Sequence, residues 1–300
     1  MGLVSTSPSD WIALRSDSWS LAVDPLGAQL SMLRDAEGRD LLWDGNPAFW
    51  NGRAPILFPI VGALNGGQFG WRGTRYALPR HGFARNRPFE VIRNEERELL
   101  FRLGSSAETL QIYPFAFELD VAFRLEGQAL EIEATVRNVG DEALPASLGF
   151  HPAFRWPLPY GAARSAHAIE FPYDEAAPVR RLDALGLLAP EGHDTPVRGR
   201  RLALDDALFE KDVLIFDQLV SHQLLFGAPG SKRLAVSFAG ATHLGLWMKP
   251  GAGFLCIEPW RGVADPAGFS GDLDHKPGIF LVPPGGTQSL SMRLDSIDDT

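Results

Sequence analysis

Phe117-Glu118-Leu119-Asp120-Val121-Ala122-Phe123-Arg124-Leu125, followed by Glu126-Gly127-Gln128 and then Ala129-Leu130-Glu131-Ile132-Glu133-Ala134-Thr135-Val136-Arg137-Asn138, sets the fold class. In the first run the odd positions are apolar while Glu118, Asp120 and Arg124 fall between them, a period of two that turns one face inward. In the second run Leu130, Ile132, Ala134 and Val136 form the apolar set, with Glu131, Glu133, Thr135 and Arg137 opposite, until Asn138-Val139-Gly140 stops it. A glycine-bearing break between two alternating runs predicts a hairpin.

The same alternation recurs on both sides: Trp19, Leu21, Val23; Leu99, Phe101, Leu103; Leu234, Val236, Phe238; and Leu290, Met292, Leu294. With 31 glycines and 23 prolines spread without a fixed period, the chain must reverse often. Helical periodicity is weak, its best candidates near Leu182 to Leu188 and Pro266 to Leu273 being short and interrupted by glycine. The expectation is therefore an all-β protein, a large antiparallel β-sandwich with few short helices. Strand signal runs from about Trp11 to Leu294 without a polar linker, which predicts one domain over residues 1–300.

Acidic residues number 37 against 28 basic ones, so a phosphate backbone would meet repulsion and no nucleic-acid partner is expected. The single cysteine, Cys256, precludes an intramolecular disulfide and a Cys-rich metal centre, and suits a reducing cytoplasm. It reads as a small buried hydrophobe on a strand. Met1 to Ala13 lacks a basic start leading into an apolar stretch, and no run of 18 apolar residues occurs, so neither a secretion leader nor a membrane partner is expected. No pair of histidines has the i, i+4 spacing of a helical zinc site, and Gly62, Gly66, Gly67 and Gly70 lack the spacing of a nucleotide loop and read as hairpin turns. The expectation is no metal and no cofactor; the oligomeric state is left open.

Three segments break the strand-and-turn rhythm. They are Arg53-Ala54-Pro55-Ile56-Leu57-Phe58-Pro59 leading to His81-Gly82-Phe83-Ala84-Arg85, then Gly149-Phe150-His151-Pro152-Ala153-Phe154, and Cys256-Ile257-Glu258-Pro259-Trp260. Each sets an ionisable residue among aromatics and rigid backbone. Histidine exchanges protons near neutrality, prolines restrain the geometry of His151 and Glu258, and apolar walls raise a nearby carboxyl's pKa and stack on a sugar ring. Singly each residue is ordinary, since a lone His among aromatics is more often structural and a lone Glu more often a surface charge. His167, His193, His222, His243 and His275 lack such surroundings and read as surface or structural.

Taken together, the segments resemble the aldose 1-epimerase (galactose mutarotase) family, and within it the LacX-like branch. The matching residues run in the family's order from Arg53 to Asp265: Ala54 to Gly62, Leu78 to Arg85, Gly149 to Phe154, Lys211-Asp212, Ile257 to Trp260, and Ala264-Asp265. The resemblance implies a large antiparallel β-sandwich holding a monosaccharide in an open cleft, and mutarotation without metal or cofactor. Glu258 matches the family's base, His151 its acid, and His81 the second histidine at the ring-oxygen region. Arg53 and Asp212 match sugar-binding positions, and Arg85 and Trp260 lie inside the motifs as further binding candidates. Activity would then need Glu258 ionised and His151 protonated.

Two departures bear on the substrate. Arg155 stands where galactose mutarotases usually carry Asn, and Gly52 to Pro59 departs from the Gly-Gly-x-Pro-x-Cys-Phe-Pro of hexose-6-phosphate 1-epimerases, although only four of the 28 basic residues are Lys and arginines for a phosphate clamp abound. The alternatives are accordingly a hexose-6-phosphate 1-epimerase, a non-catalytic carbohydrate-binding protein of the same fold, and a glycoside hydrolase with Asp212 as second carboxylate.

Overall fold

The computed structural model describes residues 7–298; the first six residues of the stretch Met1 to Ala13, for which no secretion leader is expected, lie outside the described part. The hairpin forms as its pattern requires, between strands Phe117–Glu126 and Ala129–Asn138. Gly127 takes φ +60° in the two-residue connection, a conformation that only glycine adopts without strain. The register sets Leu125 opposite Leu130, Phe123 opposite Ile132, Val121 opposite Ala134 and Leu119 opposite Val136. The apolar sets of both strands therefore share one face.

This hairpin lies within an antiparallel nine-stranded sheet, where Thr287–Ile297 and Arg233–Ala239 flank it on one side and Glu98–Gly104 and Glu90–Asn94 on the other. An eight-stranded antiparallel sheet follows the order Leu188–His193, Val179–Leu182, Leu214–Phe216, His243–Trp247, Phe254–Arg261, Leu148–Phe150, Ile56–Leu57. Ala153–Arg155 also pairs with Phe254–Arg261. One apolar cluster takes Phe123, Ile132 and Leu294 from the first sheet and Phe150, Leu246 and Ile257 from the second, the packed interior of a β-sandwich. The strand Phe254–Arg261 is buried through its first seven residues rather than alternately, so it is covered on both faces. Its Ile257 packs in the main core, and its Trp260 joins Leu57, Val61, Val213 and Ile215 in a second, smaller apolar cluster.

Helices are few and short, as expected, but neither weak candidate segment forms one. Leu182 to Leu188 is a turn closed by Gly186 N–H donating to Asp183 O and Asp183 N–H donating to Leu187 O. Pro266 to Leu273 is likewise turn and bridge, ending at a 3-10 turn over Leu273–His275. Gly186 at φ +78° and Gly268 at φ +84° break any helix there. The one α-helix among the described residues is Ala107–Ile112, started by Ser106, whose Oγ accepts from Thr109 N–H while Thr109 Oγ1 accepts from Ser106 N–H. Thr in the place of the usual Glu or Gln hid this capping box. The glycine reading is also corrected: Arg72-Gly73 makes the turn between Gln68–Trp71 and Thr74–Ala77, and Gly62 serves a different purpose, described below. Among the described residues no helix is long and apolar enough to cross a membrane.

Phe123 is 1% exposed at the centre of the core face. Phe123→Ala should lower stability by about 3–5 kcal/mol in urea denaturation with an unchanged slope. Val139→Ala, at a position 49% exposed just beyond the hairpin, should stay within about 0.5 kcal/mol.

Candidate active site

Strand register assembles the catalytic candidates. Gly149 stands opposite Trp260 and Ala153 opposite Cys256, so the intervening His151 faces Glu258 across the strand pair. With side chains alternating, Cys256, Glu258 and Trp260 project to one side together with His151. Pro152 O accepts from Ile257 N–H at 3.2 Å and keeps the pairing through the gap. His151 Nε2 lies 3.3 Å from Glu258 Oε2. This is ion-pair distance without hydrogen-bond geometry, and Glu258 Oε2 and His151 Nδ1 are both buried with no hydrogen-bond partner. Unsatisfied polar atoms on residues 1% and 8% exposed call for a polar ligand to complete them.

His81 is held differently. Gly62 N–H donates to its Nδ1 at 3.1 Å, and its own backbone N–H donates to Gly62 O at 2.9 Å. Because Nδ1 accepts, the ring proton of the neutral imidazole sits on Nε2, which makes His81 a hydrogen-bond donor. Burial, with the His151, Arg85 and Arg80 charges adding to it, pushes its pKa well down and keeps it neutral. Gly62 has φ +76°, and a Cβ there would come within 2.6 Å of the Ala264 backbone. The glycine is needed for this close approach. Asp265, next to Ala264, lies behind the wall in an ion pair with buried Lys276 at 3.2 Å, and its backbone N–H donates to Ala63 O. His81 and Asp212 both have positive φ, at 66° and 65°. Such backbone strain at residues lining a cavity is typical of functional sites.

Aromatic walls surround the pair. Trp50 stacks on the His151 ring with centroids 4.9 Å apart, and Trp247 meets it edge-on at 5.8 Å. Trp260 fits because two neighbours are glycine: a Cβ on Gly149 or Gly245 would sit 2.8 or 2.5 Å from its indole. Together with His81, His151, Arg85, Asp212 and Glu258, these rings line a cavity of about 280 Å³. That is just below the range of drug-sized ligand pockets, a size suited to one sugar ring.

Six of the seven residues singled out in the sequence line this cavity; Arg53 does not. Its guanidinium donates to Ser31 O and Trp43 O and lies over the Trp11 ring, tying the N-terminal strands to the sandwich. Trp50, Trp247 and Arg80 also line the cavity, and the sequence reading missed them. Trp247 had a faint signal in the apolar run Leu244 to Met248. Arg80 lay inside the matching motif Leu78 to Arg85 without being singled out, and Trp50 had no signal, because no local periodicity marks a residue brought in by a loop. The reading also missed that Cys256 lies beside the pair: ligand atoms of His151, Cys256 and Glu258 all fall within 4.8 Å of one another. Spacing rules for one helix cannot find a set contributed by neighbouring strands. Burial pushes the Cys256 thiol well up, and Glu258 adds to the shift.

Burial pushes the Glu258 carboxyl well above its ordinary value, with Asp212 reinforcing the rise. Burial, with the Arg85 charge, pushes His151 down to about 3. The pair is therefore favoured uncharged, with the proton on Glu258, the reverse of the charge state expected from the sequence; charge in a desolvated site is costly. The two arrangements hold the same number of protons and differ only in which partner carries one.

Comparison with known proteins bears on this site. The family profile described as Aldose 1-epimerase matches residues 10–265. Plasmid-encoded protein LacX of Lactococcus lactis subsp. lactis is 31% identical over 293 residues, covering 94% of this chain and 98% of LacX. A protein of Escherichia coli K12, provisionally named glucose-6-phosphate 1-epimerase, is 32% identical over 117 residues, 36% of each chain. The crystal structure of a galactose mutarotase related enzyme from Lactobacillus acidophilus superposes with a TM-score of 0.88 at 28% identity, covering 97% of this chain and 98% of that one.

The charge state of the pair has a consequence for stability. The folded protein holds the Glu258 proton above the ordinary value of 4.5, so this group's contribution is present at low pH and lost as pH rises past that value. His151 acts oppositely, adding stability as pH climbs from about 3 to 6.5 and nothing further above it. In thermal melts Glu258→Gln should match the parent protein near about pH 4 and exceed it by a margin that grows as pH rises past 4.5. A margin independent of pH would contradict the raised carboxyl.

Proposed function

The chain belongs to the aldose 1-epimerase family, and from that membership and the geometry of its cavity we propose that it interconverts the α and β anomers of a free monosaccharide. The observation that carries this reading is the buried cross-strand pair, Glu258 Oε2 and His151 Nε2 at 3.3 Å, both atoms belonging to residues that line a cavity of sugar size. A base and an acid held side by side are what ring opening requires.

A bound sugar supplies hydroxyls to the unpartnered atoms and stabilises the charged arrangement, with Glu258 a carboxylate and His151 an imidazolium. Glu258 then takes the proton from the anomeric hydroxyl. The C1–O1 bond becomes a carbonyl as C1–O5 breaks, and His151 delivers its proton to O5. The aldehyde rotates about C1–C2, and the same transfers run backward on its other face. His81, donating from Nε2, holds the ring-oxygen region, Asp212 accepts from ring hydroxyls, and the indoles of Trp50, Trp247 and Trp260 offer apolar faces to the sugar ring. No step calls for a metal or cofactor. The single cysteine supports a cytoplasmic setting.

One observation favours a second reading, a sugar 6-phosphate as substrate. Arg80 and Arg85 both line the cavity, and their mutual repulsion adds to burial in lowering the Arg85 pKa. Arg85 Nη2 donates to Arg80 O, and among the described residues neither guanidinium has a carboxylate partner. An anion between them would relieve the repulsion.

Magnetisation-exchange NMR between anomeric protons tests both readings. Glucose or galactose should exchange faster with the protein present, and Glu258→Gln should lower the acceleration by at least about 100-fold. An undiminished rate would remove Glu258 from the mechanism. If glucose 6-phosphate exchanges faster than glucose, Arg85→Met should slow the phosphate alone by roughly ten- to a hundredfold.

A further inference from the structure

Cys256 has no part in the proposed proton transfers, yet it occupies the i−2 position to Glu258 on one strand and projects to the same side, diagonal to His151 on the neighbouring strand. Ligand atoms of the three residues lie within 4.8 Å of one another, and all three are buried. Two of the three independently carry buried polar atoms without a hydrogen-bond partner, Glu258 Oε2 and His151 Nδ1. We propose that His151, Cys256 and Glu258 form a binding site for a thiophilic divalent cation, with Zn²⁺ as the type case, whose occupancy blocks the acid/base pair.

The donor set selects the class of ion. Sulfur, imidazole nitrogen and a single carboxylate suit Zn²⁺ and its softer congeners, whereas Ca²⁺ and Mg²⁺ require shells built mainly of oxygen. Zinc bond lengths place tetrahedral ligands about 3.3–3.8 Å apart. The three groups must therefore draw together from within 4.8 Å, a movement that side-chain rotation can supply. Three protein ligands leave a fourth position for a water. Binding releases two protons, one from the Cys256 thiol and one from the Glu258 carboxyl, while neutral His151 gives a lone pair. The resulting thiolate and carboxylate balance the charge of the cation, which lets a desolvated site accept it. With Glu258 and His151 both coordinated, neither a base nor an acid remains; this inhibitory consequence rests on the mutarotase reading, whereas the binding does not.

The test uses the full chain and its Cys256→Ala and Cys256→Ser variants, with Co²⁺ and Zn²⁺ as probes. Co²⁺ should give a thiolate-to-cobalt charge-transfer band in the parent protein and none in either variant. Zn²⁺ should slow anomer exchange in competition with sugar, and the two variants, keeping the parent's metal-free rate, should need at least about tenfold more Zn²⁺ for the same effect. Absence of the band, or equal Zn²⁺ sensitivity in parent and variants, would overturn the site. A parent protein that gives the band but exchanges no anomers even without metal would leave the cation site standing and the mutarotase reading refuted. The serine variant keeps the size of the side chain, so a folding defect in the alanine variant does not remove the test.

Discussion

Glu258 is a carboxyl group buried to 1% exposure directly across a strand pair from a buried imidazole, and the rest of the site follows from the cost of that placement. A carboxylate there would lack water and lack a full set of donors, so its proton is held and its stability contribution declines as the pH rises. The protein sustains this because the supporting strand is central to its sheet and covered on both faces, with Ile257 anchored in the main core while Glu258 faces the cavity. Anchorage on one face lets the other carry an unfavourable group without local unfolding.

Glycines and tryptophans divide the remaining work. Gly149 and Gly245 leave the volume that the Trp260 indole fills, and Gly62 lets the backbone approach Ala264 while its N–H fixes the His81 tautomer. Trp50 and Trp247 close on His151 from its face and its edge. The rings thus set both the orientation of His151 and the low polarity that shifts its pKa. The same rigid floor holds Cys256 near enough to Glu258 and His151 to make a cation a competitor for their lone pairs.

The arginines show how one residue type is spent in two ways. Arg53 donates to Ser31 O and Trp43 O and lies over the Trp11 ring, contacts that tie it to the N-terminal strands, and it does not line the cavity. Arg80 and Arg85 come to the cavity from the turn region around His81 and face no carboxylate among the described residues. Positive potential at the cavity therefore comes from one loop, although the chain as a whole carries net charge −9.

The alternation in Phe117 to Asn138, repeated at Trp19, Leu99, Leu234 and Leu290, was enough to specify the strands and their inward faces, because a period of two is a property of the strand itself. Motif order was enough to nominate Glu258, His151 and His81. The helix at Ala107–Ile112, the contacts of Gly62 and Arg53, the presence of Trp50 at the cavity, and the approach of Arg80 and Cys256 to it were not legible. The helix was hidden by a local cap that uses Thr109 where Glu or Gln is usual, while most of the others depend on partners far along the chain, as when residue 62 meets 264 or 50 meets 151. The charge state of the pair was also a tertiary outcome, since a pKa responds to burial and to neighbours in space. Local periodicity determines which face of a strand is apolar, but only strand register and loop packing determine which side chains stand opposite one another and how much water remains between them.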